Sequence, residues 1–144
     1  MKLSTAAELG LRGILVVADR SEGQPVNLDT ICSVRDLPKD YLAKIFGSLV
    51  RAELLLAVRG KHGGYRLGRP AEEITVLEVI EAIEGPIALN FCQHDPPKCE
   101  EYDCPLRPVW AEMQETLRQR LGEMTLAQYL HCLHTNQARS ESPE

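Results

Sequence analysis

Three of the five cysteines in this 144-residue chain fall within thirteen residues: Cys92, Cys99 and Cys104, spaced C-x6-C-x4-C. The segment between them has neither helical nor strand period and contains the adjacent prolines Pro96 and Pro97. A loop that cannot form regular structure can still fold around a metal, because bonds to thiolates supply the missing folding free energy. Soft thiolate ligands favour zinc, copper(I) or an iron–sulfur cluster. Structural zinc usually takes cysteine pairs two to four residues apart, so gaps of six and four suit it less well. Iron–sulfur clusters also take thiolates, and histidine can replace cysteine at some of them. Three cysteines leave such a site one ligand short.

The length allows one domain, or one domain with a helical appendage, and a substantial core. No run of eighteen apolar residues occurs, and Met1-Lys2-Leu3-Ser4 does not open a signal peptide, so a cytoplasmic protein without membrane contact is expected. In that reducing compartment clustered cysteines are metal ligands or redox sensors rather than disulfides. Cys32 and Cys132 lie apart, each in an apolar helical stretch, and are expected to be packing residues.

The formal net charge of −5 does not suggest a nucleic-acid partner, but its distribution does. From Arg35 to Arg69 there are eight basic residues against three acidic, a net +5, so the remaining residues together carry −10. A basic stripe on an acidic protein is an electrostatic footprint for a polyanion.

The elements around the stripe are helical. Residues 4–20 form a first helix capped by Ser4 or Thr5, and Thr5-Ala6-Ala7-Glu8 fits the capping-box pattern. A turn at residues 21–25 leads to a short helix capped by Asn27. A third helix follows Arg35-Asp36-Leu37, with Pro38 in its first turn. Tyr41, Leu42, Ile45, Phe46 and Leu49 form its apolar stripe, and Lys39, Lys44 and Arg51 lie off it. Two short helices with a basic second member fit a helix-turn-helix. Residues 54–59 then read as a strand, 60–64 as a glycine-rich tip and 65–67 as the returning strand, a wing carrying Arg59, Gly60, Lys61 and Arg66. Thr75-Val76-Leu77-Glu78 is a second capping box, and Gly85-Pro86 ends the helix it opens. After the cysteine loop, Pro105 takes a first helical position. The long helix that follows carries Trp110, Met113, Leu117 and Leu121 on one face, expected as a dimer seam, with packing onto the first helix the alternative. Thr125 caps a last short helix through Leu133.

With these pieces in place the chain resembles the bacterial winged-helix repressor family that includes the iron–sulfur assembly regulator IscR and the nitric-oxide-responsive repressor NsrR. The resemblance runs over nearly the whole chain. It is carried by Met1-Lys2-Leu3-Ser4, Tyr41-Leu42, Val58-Arg59-Gly60, Gly63-Gly64-Tyr65, Ile74, Val79, Ile83-Glu84-Gly85, the three cysteines and Trp110. It implies a mainly α fold with a β-hairpin wing, whose helix-turn-helix enters the major groove and whose wing reaches the minor groove. It further implies a homodimer seamed by the helix after the cysteine loop, bound to a palindromic site on double-stranded DNA. Residues 1–85 would then be the DNA-binding domain, 86–104 the cluster loop, 105–134 the dimerisation and terminal helices, and 135–144 a disordered tail.

The resemblance also implies that Cys92, Cys99 and Cys104 hold a 2Fe–2S or 4Fe–4S cluster. In the assembly regulator a histidine stands three residues after the third cysteine. Here that position is Arg107, whose guanidinium has no free lone pair and cannot be a ligand. In the nitric-oxide sensor the fourth ligand is an acidic residue of helix one in the other subunit, and Glu8 holds that place. Glu8 could instead complete the capping box with Thr5. His94, His131 and His134 are the further candidates. The expected function is a homodimeric transcription regulator, a repressor, whose DNA affinity answers to nitric oxide, redox or iron–sulfur status through the cluster. A zinc-bound or metal-free regulator of the same fold is the alternative. A small iron–sulfur electron carrier has no need of the basic stripe, and no glycine loop or paired carboxylates suggest an enzyme.

Overall fold

The computed structural model describes residues 2–140. Six helices and one hairpin follow in order: α1 (Thr5–Arg20), α2 (Leu28–Arg35), α3 (Lys39–Arg51), β1 (Leu55–Val58), β2 (Gly64–Leu67), α4 (Val76–Glu84), α5 (Arg107–Glu123) and α6 (Leu126–Ser140). Short 3-10 turns occupy Ala71–Glu73 and Phe91–Gln93. No helix among the described residues is long and apolar enough to cross a membrane.

The fold is built around α1, which packs against α2, α3, α4, α6 and β2. Two glycines set how closely the neighbours approach. A Cβ on Gly10 would collide with Ile83 of α4 and come within 2.9 Å of Ile45 of α3. A Cβ on Gly13 would lie 2.7 Å from the ring of Phe46 and 3.0 Å from Leu42, both on α3. Glycine in a helix interior costs about 1 kcal/mol relative to alanine, and here that cost admits the side chains of α3 and α4. The core they enter includes Ile14, Val17, Ile31, Leu42, Phe46, Leu49, Ile74 and Val79, all fully buried.

The helix-turn-helix turns at Asp36, in the left-handed region (φ 51°), while the N–H groups of Asp36 and Leu37 both bond to the carbonyl of Cys32. The wing pairs antiparallel with Leu55 opposite Leu67 and Ala57 opposite Tyr65. Tyr65 holds it to the body: its N–H and C=O exchange 2.8 Å bonds with Val26, and its ring meets Phe46 edge-on at 4.9 Å. Gly64, at φ 151°, passes so close to the Val26 backbone that a Cβ would strike it.

Several boundaries differ from expectation. The cap of α1 is Ser4, whose Oγ accepts from the Ala7 N–H, so the helix starts at Thr5 and the Thr5–Glu8 capping box does not form. The carboxylate that returns to the Ser4 N–H belongs to Glu84, at the far end of α4 (2.7 Å). Pro38 is the N-cap of α3 rather than a residue of its first turn. Leu54 belongs to the exit from α3, bonded to the Leu49 carbonyl, so β1 begins at Leu55. α5 begins at Arg107, past Pro105, with Pro108 in its first turn. α6 continues to Ser140, so residues 135–140, expected in a disordered tail, are helical, and 141–144 lie outside the described residues. The Thr75–Glu78 capping box and the Gly85 terminus of α4 are as expected.

Gly10→Val should lower stability by about 1–3 kcal/mol in urea unfolding, since Ile83 and Ile45 must both give way. A parental midpoint and slope would contradict the close approach of α1 to α3 and α4.

Candidate DNA interface and cysteine loop

The third helix and the wing present the basic stripe to solvent. Lys39, Tyr41, Lys44 and Arg51 on α3, and Arg59, Gly60, Lys61 and Arg66 on the wing, are all exposed. They are not equally available. Lys39 pairs with Asp29 of α2 at 2.6 Å, and the hydrogen bond and charge of that carboxylate hold the ammonium pKa above its usual value. Arg51 bonds to the hydroxyl of Ser48 one turn back. Among the described residues Arg35, Lys44, Arg59, Lys61 and Arg66 make no ion pair or side-chain hydrogen bond.

Arg69 closes the sequence stripe but faces the protein: it pairs with Glu78 at 2.7 Å and donates to the Glu73 carbonyl. Burial would raise the Glu78 carboxyl pKa, but the Thr75 N–H, Arg69 and the Thr75 hydroxyl outweigh it and bring it below the usual range. Cys32, raised by burial and by nearby Asp29, stays a protonated thiol, as a packing residue should.

The cysteine loop is tethered at its start. Glu81 accepts from the Ile87 N–H (3.1 Å) and meets Arg118 of α5, and Gln114 of α5 accepts from the Leu89 N–H at 3.0 Å. Within the loop the Lys98 N–H bonds to the Phe91 carbonyl at 2.9 Å. The Gln93 amide nitrogen lies 3.4 Å from Cys92 Sγ and 3.3 Å from the Arg107 carbonyl, while the Arg107 N–H bonds to the Cys104 carbonyl at 3.1 Å.

Cys92, Cys99 and Cys104 are free and half-buried. The single chain does not draw them together: among the described residues no three His, Cys, Asp or Glu side chains are grouped as metal ligands would be. The donor chemistry nonetheless fits a thiolate-bound cluster. Three thiols share one short loop, and Nε of Arg107, three residues after Cys104, is buried without a hydrogen-bond partner. A buried donor left unpaired costs on the order of 1–3 kcal/mol, more when charged, which an anionic acceptor would relieve.

The fourth-ligand candidates fall in different places. Glu8 is exposed in the first turn of α1, and its carboxylate makes no hydrogen bond or ion pair among the described residues. His94 stacks on Phe91 with centroids 6.4 Å apart, and His134 reaches Asp19 at 3.1 Å. His131 is exposed on α6. Beyond the loop, α5 buries no residue, and Leu106, Val109, Met113 and Leu117 leave an apolar stripe uncovered in the single chain. Trp110 and Leu121 on this helix are half-buried.

Two contributions escaped sequence reasoning. Glu84 lay in a recognisable string, but its partner is 80 residues away in sequence, so no local pattern reveals that it caps α1. Arg107 could be excluded as a ligand, yet its role as a buried donor shows only in three dimensions.

The family model for Rrf2, described as an iron-dependent transcriptional regulator, matches residues 3–131. The chain is 33% identical over 128 residues to Protein rrf2 of Nitratidesulfovibrio vulgaris, covering 88% of this chain and 85% of that protein. Its structure is similar to CymR, the global cysteine regulator of B. subtilis, with TM-score 0.78 and 27% identity over 91% of this chain and 97% of that one. T. potens IscR is similar at TM-score 0.75 and 25% identity, covering 100% of this chain and 93% of that one.

Arg59→Ala with Lys61→Ala should weaken DNA binding and flatten its dependence on salt, because fewer counterions are released. Arg69→Ala should leave both unchanged and lower stability instead. Glu78's folded pKa is depressed, so that loss should be full above the ordinary glutamate range and fade as pH falls through the folded-state value. Parental binding by the wing variant at every salt concentration would remove the wing from the interface.

Proposed function

Because the chain belongs to the Rrf2 family of transcriptional regulators and is no enzyme, we propose that it is a homodimeric repressor whose hold on a palindromic operator is set by an iron–sulfur cluster. The observation that carries the cluster is the C-x6-C-x4-C loop of three free thiols. Cys92, Cys99 and Cys104 hold it from one subunit and Glu8 from the other. A bound cluster supplies a centre that nitric oxide or an oxidant can modify, most readily at a hard oxygen ligand.

The chain's own residues turn that event into a change of DNA affinity. Supporting Glu8 as ligand, its carboxylate is exposed and unengaged, and the capping work at the start of α1 is done by Ser4 and Glu84. Glu8 sits two residues before Gly10, where α1 presses on Ile45 of α3. A pull on Glu8 therefore acts on the same rigid helix that backs the recognition helix. Two states that differ by this one contact supply the differential free energy a switch needs. Lys39, Tyr41, Lys44 and Arg51 would meet the major groove, and Arg59, Gly60, Lys61 and Arg66 the minor groove and phosphates. The α5 stripe would pair with its two-fold mate and set the spacing of the two reading heads.

A second reading is a metal-free regulator of the same fold, answering a thiol signal. It is favoured by the open arrangement of the three thiols in the single chain and by the likeness to CymR, a cysteine regulator. Anaerobic purification with iron and sulfide analysis separates the two: brown protein with both elements supports the cluster, and colourless protein lacking both supports the second reading.

On the loaded protein, Glu8→Ala should change the visible spectrum and speed cluster loss. Ser4→Ala should lower stability by about 1 kcal/mol and leave the spectrum alone. Parental spectra and lability in both would show that Glu8 is not a ligand. Met113→Glu with Leu117→Glu should give monomers in sedimentation, and a parent already monomeric at micromolar concentration would contradict the α5 seam.

A further inference from the structure

Among the described residues one buried side-chain nitrogen or oxygen lacks a hydrogen-bond partner, and it is Nε of Arg107. The rest of this side chain is fixed. Its Nη2 donates to the Glu101 carbonyl at 3.0 Å, and its guanidinium carbon lies 5.3 Å from the centre of the Tyr102 ring. A planar fork held at one end and across one face has little freedom to re-aim its remaining N–H. The backbone of the same residue joins the ends of the cysteine motif: its N–H bonds to the Cys104 carbonyl, and its carbonyl accepts from Gln93, whose amide nitrogen also lies against Cys92 Sγ.

We propose that Arg107 is a positioning residue for the metal-loaded loop, its Nε–H donating to a thiolate or sulfide sulfur and its charge offsetting the negative charge gathered there. The inference rests on the cluster reading above. Three thiolates and a carboxylate around a dicationic cluster core make a net anion, which low-dielectric surroundings penalise unless a cation or hydrogen-bond donor stands beside it. Glu100, Glu101 and Asp103 in the same loop add negative charge, and Lys98 is its one other cation. Arg107 thus supplies charge compensation from the position where a neutral ligand could have stood. Reduction adds an electron to this anion, so a nearby guanidinium stabilises the reduced state more than the oxidised one. Arg107 is therefore expected to set the cluster's reduction potential rather than its composition.

The test uses the full-length protein, anaerobically loaded, as parent, Arg107→Gln and Arg107→Lys. Both variants should retain parental iron and sulfide content. The Gln variant should show a more negative reduction potential and displaced iron–thiolate stretching bands in resonance Raman spectra. The Lys variant, which keeps the charge but not the fork, should fall between it and the parent. A mere prop for the loop would move neither the potential nor the bands. If the Gln variant holds no cluster, the Lys variant decides: a lowered potential supports the proposal and a parental one overturns it. Loaded variants with parental potential and bands overturn the role of Arg107 while the cluster reading stands. A parent that purifies without iron and sulfide overturns both.

Discussion

The closeness of α1 to its neighbours is the constraint on which the rest of the molecule depends. At Gly10 and Gly13 the absence of a side chain lets Ile83 of α4 and Ile45, Leu42 and Phe46 of α3 lie against the α1 backbone. Packed interiors of this density transmit displacement rather than absorb it. The third helix is therefore positioned by α1, and Phe46 carries the same support to the wing through Tyr65. The Ser4–Glu84 contact fastens the start of α1 to the end of α4, immediately before the chain leaves for the cysteine loop. The exposed carboxylate of Glu8, the support of α3 and the root of the loop thus meet on a single helix.

The cysteine loop follows a different logic. It has no regular structure beyond one 3-10 turn, and side chains of α4 and α5 hold its start through Glu81 and Gln114. Its thiols are free and form no three-ligand group among the described residues, so a cluster would have to draw the loop together, as expected where metal binding supplies folding free energy. Arg107 anchors the loop at its junction with α5, the helix whose apolar stripe is left uncovered in a single chain. On the proposed function, occupancy of the loop and the seam between subunits are linked through that junction.

Much of this was legible in the residues. The periodicity of Leu42, Ile45, Phe46 and Leu49, the glycine tip of the wing and the Thr75–Glu78 box each express a local rule, and each element stands where the rule puts it. The start of α1 was misplaced by one residue because Ser4 and Thr5 are equally good caps by type, and Glu84 settles the matter from another helix. Residues 135–140 look like a polar tail, yet the Thr125–Gln128 cap starts a helix that continues through them. Within the basic stripe, composition could not separate Arg69, which faces Glu78, from Arg59 and Lys61, which face solvent. Pairing with a side chain on another element explains the first and last of these differences, and a local cap explains the second.

On the proposed function, occupancy of the cysteine loop is read out as DNA affinity through α1. The most direct measurement is the operator affinity of one preparation, anaerobically loaded and then stripped of iron, for the parent and for Glu8→Ala. The loaded-to-stripped ratio should lie well away from one in the parent and fall toward one in Glu8→Ala. Equal affinity of the loaded and stripped parent would contradict it.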